Sequence, residues 1–353
     1  MHFFKALYIF FIILALNIFF FSTTNSKAKA FLIEDIEISE TLDNNFDKNS
    51  LFNIGFEKAF YELIDMLIKS TDLKKIKKIK TNEIKTMIET FSVKEERFIN
   101  DVYYLNLGVS FNKKKVFNYL ESKNIFPTQT VKETFLFIPI IIDQKSDELM
   151  IFSNNPIFNK WNDQNKKTSL IKYLLPTEDL EDMKLIKSNS MNIEKYDFEQ
   201  IIKKYYLQHS IATLIFKNDE EIKVLSKINI KDRKFIKNNS FKSFDLNDYD
   251  LSQNFIKELK IIYDDLWKEY NQINTSIKLP LLIRVNNKEL DLSVQFEKDI
   301  ENIDLIGNYS INKFDKDFIY YEIIFNGTPK KFINIMNSLN YNFDTQKKIW
   351  ILK

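Results

Sequence analysis

The chain of 353 residues has no cysteine, four glycines, six prolines, two histidines and three arginines. Without cysteine there is no disulfide, no thiolate metal site, no thiol nucleophile and no acceptor for a lipoprotein anchor, so stability must come from burial. A phosphate-cradling loop or dinucleotide turn needs closely spaced glycines, because only they let backbone N–H groups approach the phosphate. Gly55, Gly108, Gly307 and Gly327 stand too far apart for either. A histidine-based zinc site needs ligands that the sequence does not have, since the two histidines are His2 and His209.

Isoleucine (50), lysine (48) and asparagine (37) are abundant, whereas arginine occurs only as Arg97, Arg233 and Arg284. This bias looks like drift in an AT-rich genome, so lysine content alone does not mark a binding surface. The first thirty residues hold Lys5 near the start, an apolar stretch from Ala6 to Phe21 and a tail ending Ala28-Lys29-Ala30. That order is the one expected of a secretory signal peptide over 1–30, cleaved after Ala30. The alternative is a retained anchor, for which the apolar stretch is slightly short of the usual ~20 residues. Without residues 1–30, 48 basic residues face 49 acidic ones. The expected mature chain is therefore about neutral, with no general case for nucleic-acid binding and no second run long enough to span a membrane. A periplasmic location follows from the signal.

Periodicity divides the rest into three segments. In an N-terminal α+β domain, 31–130, Ile36 and Ile38 suit a strand. Ser50 is placed to cap a long helix through Leu51, Ile54, Ala59, Leu63, Ile64 and Leu67. A second helix is expected from Asn82 to about Thr90. Tyr103, Leu105, Leu107, Val109 and Phe111 alternate with Tyr104, Asn106, Gly108 and Ser110, which defines a strand paired with Phe91 to Phe98. Val116, Phe117 and Leu120 make a closing helix.

In a middle α/β domain, 131–275, the apolar run Phe135 to Ile142 reads as a strand buried on both faces, with Pro139 suggesting an edge or a bulge. A strand from Leu170 to Leu175, a helix from Thr177, a helix through Phe198, Ile201, Ile202 and Tyr205, and a strand from Ile211 to Phe216 turning at Asn218-Asp219 follow. Leu251, Phe255, Leu259, Ile262 and Leu266 mark a long helix. The last domain, 276–353, reads as βαββαβ, the order of a ferredoxin-like fold, with Thr328 capping a helix that starts at Pro329. The fold class expected is thus mixed α+β and α/β in several domains.

Few residues offer chemistry. His209 could serve as a base, but no Gly-x-Ser-x-Gly turn exposes a nucleophile, and a helix-end histidine is the plainer reading. Glu178, Asp179, Glu181 and Asp182 form the densest acidic cluster, making Asp179 and Asp182 the candidates for a hard cation such as Ca²⁺. The same acids also suit the first turn of a helix capped by Thr177. Lys74, Lys75, Lys77, Lys78 and Lys80 interleave with Leu73, Ile76 and Ile79, which fits either an anionic membrane surface or a solvated segment with three buried anchors. Trp161, Trp267 and Trp350 read as packing residues. No catalytic residue and no cofactor are assigned.

Several stretches carry a resemblance: Phe31 to Ile38, Phe56 to Leu67, Phe91-Ser92-Val93 with Glu96-Arg97, and Tyr103 to Phe111 with Val116 and Leu120. Further on come Pro139, Asn155-Pro156 with Trp161, Pro176 before Asp179-Leu180-Glu181-Asp182, and Gly327 through Trp350-Ile351-Leu352. In these the chain resembles the domain of unknown function 2066 family of proteobacterial envelope proteins. Ile157 departs from the tryptophan, and Glu178 from the glycine, that the family pattern often has. The resemblance implies an envelope location and a general architecture, and it implies no site. The expected function is a non-catalytic periplasmic factor that binds an envelope protein or complex, with membrane-surface contact open. The alternatives are a carboxylate-dependent hydrolase of cell-wall glycan, which needs two acids facing each other in a cleft, and a binder of a small ligand.

Overall fold

The computed structural model describes residues 31–43, 46–287 and 290–353. The expected signal segment 1–30 and its cleavage after Ala30 lie outside them. The fold is mixed α+β with three sheets among the described residues. The chain forms two compact units, one from 31–56, 81–121 and 274–353, the other from 57–80 and 122–273. Segments 31–130 and 276–353 thus place most of their residues in one unit, and the middle segment in the other.

In the first unit, β1 (Phe31–Thr41), β2 (Ile88–Ile99) and β3 (Val102–Phe111) form an antiparallel sheet in the order β1-β3-β2. The alternation read in β3 is the alternation of its burial, with Leu105, Leu107, Val109 and Phe111 inward. Helix α1 (Lys48–Leu67) starts here, and Gly55 lets it come close to the sheet: a Cβ would meet Ile38 and Leu107 side chains at 2.5 and 2.7 Å. Its cap is Asp47 rather than Ser50. The Asp47 carboxylate accepts from the N–H groups of Asn49 and Ser50 at 2.9 and 3.2 Å, so Ser50 is a recipient of the cap. Helix α2 (Thr81–Met87) ends before Thr90 because Ile88 already pairs with Phe111 in the β2–β3 ladder. Helix α3 (Lys113–Ser122) buries Val116, Phe117 and Leu120, as their spacing requires.

The second unit is built on the sheet β5-β4-β7-β8-β9, with β6 also paired to β4. Its strands are β4 (Glu133–Asp143), β5 (Glu148–Met150), β6 (Ile171–Leu174), β7 (His209–Lys217), β8 (Glu221–Ile230) and β9 (Arg233–Lys242). Strand β4 is buried on both faces, as its apolar run implies. Phe135, Phe137 and Ile141 enter one core with helix α7 (Tyr249–Tyr270), while Leu136, Ile138 and Ile140 enter the other. The second core also holds residues of α5 (Leu180–Ser188) and α6 (Glu199–Lys203).

Pro139 lies at no bulge but, on one side of β4, at a local edge. It pairs with Thr213 of β7, and on the opposite side β4 is covered by β6 only to Leu136 and by β5 only from Ile141. The gap between them is where a residue without an N–H is harmless. Buried Asn155 fills it: its Nδ2 donates to the Pro139 carbonyl at 3.0 Å, and its Oδ1 accepts from Ile157 and Phe158 N–H to cap α4 (Pro156–Lys160).

The remainder of the first unit is β10 (Leu279–Asn286), α8 (Leu290–Asn302), β11 (Ile306–Phe314), β12 (Phe318–Phe325), α9 (Pro329–Ser338), β13 (Phe343–Asp344) and β14 (Ile349–Leu352). Thr328 caps α9 by accepting from Lys331 N–H at 3.3 Å. The sheet order is β11-β12-β10-β14-β13. The expected βαββαβ order is lengthened by β13: the chain turns once more after α9, so β14 runs parallel to β10, which it would oppose without that turn.

Candidate functional site

A cleft of about 760 Å³ opens in the second unit. One wall is a stripe of α7 in which Gln253, Ile256, Lys257, Lys260, Ile261, Asp264, Asp265 and Lys268 recur at steps of three and one, a single helical face. The opposite wall is the loop 162–170 with Ile171 and Tyr173 of β6, and Asp65 of α1 with Ser70 and Leu73 closes one end. Alternation along β6 turns Ile171 and Tyr173 inward and leaves Lys172 exposed.

Six lysines and three aspartates line the cleft. Every aspartate is already engaged. Asp65 accepts from Lys166 at 2.7 Å and from the Thr168 hydroxyl; burial pushes its pKa up, and these two donors outweigh that and bring it below the ordinary carboxylate value. Asp264 binds Lys268 at 2.9 Å and the Leu170 N–H at 3.0 Å. Asp265 accepts from Ser70 N–H and hydroxyl at 2.7 and 2.6 Å. Lys268, only 4% exposed, also donates to the Asp65 carbonyl at 2.6 Å. Lys132, Lys172 and Lys257 are exposed and form no ion pair among the described residues.

Lys260 is the most perturbed base here. Burial lowers its pKa to about 8. Its ammonium donates to the Trp161 and Gln164 carbonyls and Asn165 Oδ1, at 2.6, 2.9 and 3.1 Å, and lies 5.3 and 5.7 Å from the Trp161 and Tyr173 ring centres. Three oxygen acceptors match the three N–H groups of the charged form, so this lysine fastens the loop 161–165 to α7. Tyr173 is 7% exposed, and burial raises its pKa well above the ordinary phenol value. Neither its hydroxyl nor the neighbouring Trp161 Nε1 has a hydrogen-bond partner among the described residues.

The residues singled out from sequence lie elsewhere. Asp179 caps α5 by accepting from Glu181 N–H at 2.7 Å, so the helix begins at Leu180 and Thr177 is not its cap; Thr177 N–H instead donates to the Tyr205 hydroxyl at 2.8 Å. Asp179 and Asp182 do converge, and what lies between them is Lys204, at 3.0 and 2.8 Å. Hydrogen bonds to Asp182 and Asp179 raise the Lys204 pKa, and the bond from Lys204 lowers that of Asp179. No group of three or more His, Asp or Glu suited to a metal occurs among the described residues. Lys204→Met, which strands the fully buried Asp182, is expected to lower the thermal midpoint at neutral pH without calcium restoring it. Scanning calorimetry with and without the cation checks this.

His209 opens β7, not a helix end. It is 2% exposed, stacked on Phe135 at 4.8 Å and edge-on to Trp267 at 5.2 Å, with Nδ1 unpartnered. Burial holds its pKa below the ordinary imidazole value. The folded state therefore binds the proton less readily than the unfolded one. The stability tied to neutral His209 is present above about pH 6.5 and is lost as pH falls below it. The expected result is a thermal midpoint that drops as pH falls below about 6.5 in the parent chain and drops less in His209→Phe. An equal drop in both would remove His209 as the cause.

No family profile matches the sequence. No curated protein matches it either. The cleft is thus read from its own residues. The sequence missed it because its walls lie between Asp65 and Lys268, some two hundred positions apart. The one legible signal was the polar side of α7, which carries Lys257, Lys260, Asp264, Asp265 and Lys268 among apolar neighbours.

Of the lysine-rich segment, Ile76 is buried and Leu73 and Ile79 are half-buried, while Lys74, Lys75, Lys77, Lys78 and Lys80 are exposed. Trp161 and Trp267 are core residues. No helix among the described residues is long and apolar enough to cross a membrane.

Proposed function

We propose that the chain is a non-enzymatic periplasmic protein that takes a small ligand into the cleft between α7 and β6. The observation that carries this reading is the cleft itself, of a size common to small-molecule sites, with the apolar Leu73, Ile256 and Ile261 beside the lysines of its wall. A hydrolase needs a carboxyl group held protonated as the acid. Asp65, the cleft carboxylate with a displaced pKa, is displaced downward, which gives that reading no support. The test is a thermal-shift screen of the full chain against small-molecule extracts of the cell envelope. A saturable rise is expected, and it should vanish in Ile261→Trp, which fills the cleft from an exposed position on α7. Absence of any rise, or a rise that survives Ile261→Trp, would sink the proposal.

A second reading, docking of an envelope protein, draws on β2. This is an edge strand of twelve residues on which Phe91, Val93, Phe98 and Ile99 stay exposed, Phe98 to 59%. Open strand edges accept an added strand. Cross-linked capture from an envelope fraction that depends on Phe98, and is lost in Phe98→Asp, supports it.

Membership of the 2066 family is also part of the proposal. Three of the residues that carry the resemblance, Pro139, Asn155 and Trp161, serve one region: the first two are hydrogen-bonded and the third packs on Phe137 next door. For the C-terminal segment, the order β11-β12-β10 with a helix after β10 and another after β12 supports a ferredoxin-like reading, with β13 as an addition.

A further inference from the structure

Strand β2 is a sheet edge of twelve residues, and every side chain from Glu89 to Ile99 is exposed. Its two halves are out of phase. Phe91 and Val93 pair with Val109 and Leu107, Lys94 has no partner on β3, and Glu96 and Phe98 then pair with Leu105 and Tyr103. All four partners on β3 are buried. The one-residue bulge at Lys94 therefore puts Phe91, Val93, Glu96 and Phe98 on the helix-covered face, and Ser92, Glu95 and Arg97 on the other. On a regular strand Phe91 and Phe98, an odd number of positions apart, would face opposite sides. Phe91 touches Phe52 and Phe56 of α1, with ring centres 5.7 and 5.1 Å away, yet stays 52% exposed.

We propose that β2 pairs antiparallel with β2 of a second copy of this chain, about a two-fold axis between Lys94 and Glu95, so that two three-stranded sheets become one of six. The proposal is independent of the cleft, and it gives the edge of the second reading a copy of this chain as its occupant in place of an envelope protein. Such an axis stands perpendicular to the sheet and keeps each face on its own side, so opposed residues must share a face. The bulge lets one register satisfy this for both halves. In it Phe91 lies opposite Phe98 of the second copy, Thr90 opposite Ile99, Ser92 opposite Arg97 and Lys94 opposite Glu95, each pair occurring twice. Val93 opposite Glu96 is the one mismatch, and no like charges face each other. A slide of one residue opposes side chains of different faces. A slide of two sets Glu95 against Glu96 and Lys94 against Arg97 or, in the other direction, both phenylalanines against Glu96 and Glu89. The charges involved are held only in exposed pairs within the chain, Lys94 to Glu34 at 2.8 Å and Arg97 to Glu95 at 2.9 Å, which contribute little.

Because the sequence has no cysteine, introduced thiols report the register without interference. The experiment is sedimentation velocity of the full chain over a wide range of concentration, followed by mild oxidation of cysteine variants. A reversible dimer is expected. Phe98→Asp, at a position 59% exposed, leaves the fold in place and should raise the dissociation constant about tenfold or more. Ser92→Cys combined with Arg97→Cys should yield a covalent dimer, since opposed Cα atoms of paired strands lie within disulfide reach and the same two positions along one strand do not. Ser92→Cys combined with Ile99→Cys, the pair that the slid register would join, should stay unlinked. A chain that is monomeric at every concentration, a dimer indifferent to Phe98→Asp, or linkage through the second cysteine pair in place of the first overturns the proposal. So does a monomer whose β2 captures a different protein, an outcome that leaves the docking reading standing.

Discussion

Replacing Trp161 with alanine is expected to destabilise the second unit by about 3–5 kcal/mol, among the largest losses a single core substitution produces. The indole is fully buried, stacks on Phe137 with ring centres 3.7 Å apart and meets Tyr173 edge-on at 5.3 Å. Its N–H has no partner among the described residues, so the loss is one of packing and not of a hydrogen bond. It extends to Lys260, whose ammonium lies over the same ring. The urea midpoint should fall in proportion, and the thermal midpoint by about 10 °C for a unit of this size. A loss below about 1 kcal/mol would mean that the surroundings collapse to fill the cavity, contrary to the rigid cluster described.

The second large effect is expected at Lys268. This ammonium lies between the Asp264 carboxylate and the Asp65 carbonyl and is almost without solvent. Lys268→Met removes one partner of a buried ion pair and leaves the other, a change that costs about 3–5 kcal/mol where it has been measured in proteins. Asp264→Asn on that background should recover a good part, because the amide oxygen still accepts from Leu170 N–H while the stranded charge is gone. Denaturant unfolding of the two single variants and the double variant gives the coupling directly. Strict additivity would show that the two groups do not act as a pair.

What could be read from the sequence was set by how local the signal was. The alternation of β3 and the apolar run of β4 state their burial residue by residue. Thr328-Pro329 states a helix start within four residues. Other features needed partners that the sequence does not display. Strand β9, Arg233–Lys242, is not legible because it is an edge whose half-buried positions, Phe235, Lys237, Asn239 and Phe241, are as often polar as apolar. Pro139 marks an edge that is only local, and only the fold shows that β5 and β6 leave a gap beside it. Asp179 outdid Thr177 as a cap because Lys204, twenty-five positions away, holds its second oxygen. The cleft was the least legible of all: Tyr173 reads as a strand residue and Lys260 as one lysine among many until burial singles them out.

The division of the chain into two interleaved units bears on the order in which it can be finished. The second unit has all its residues once position 273 is made, whereas the first needs 274–353 as well as its opening stretches. The Lys113–Asp304 ion pair joins positions 191 apart. Synthesis therefore starts the first unit early and completes it last, with a large loop-closure entropy to overcome. In that interval β1, β2 and β3 wait without the C-terminal part of their unit, and the incomplete unit is open to wrong contacts.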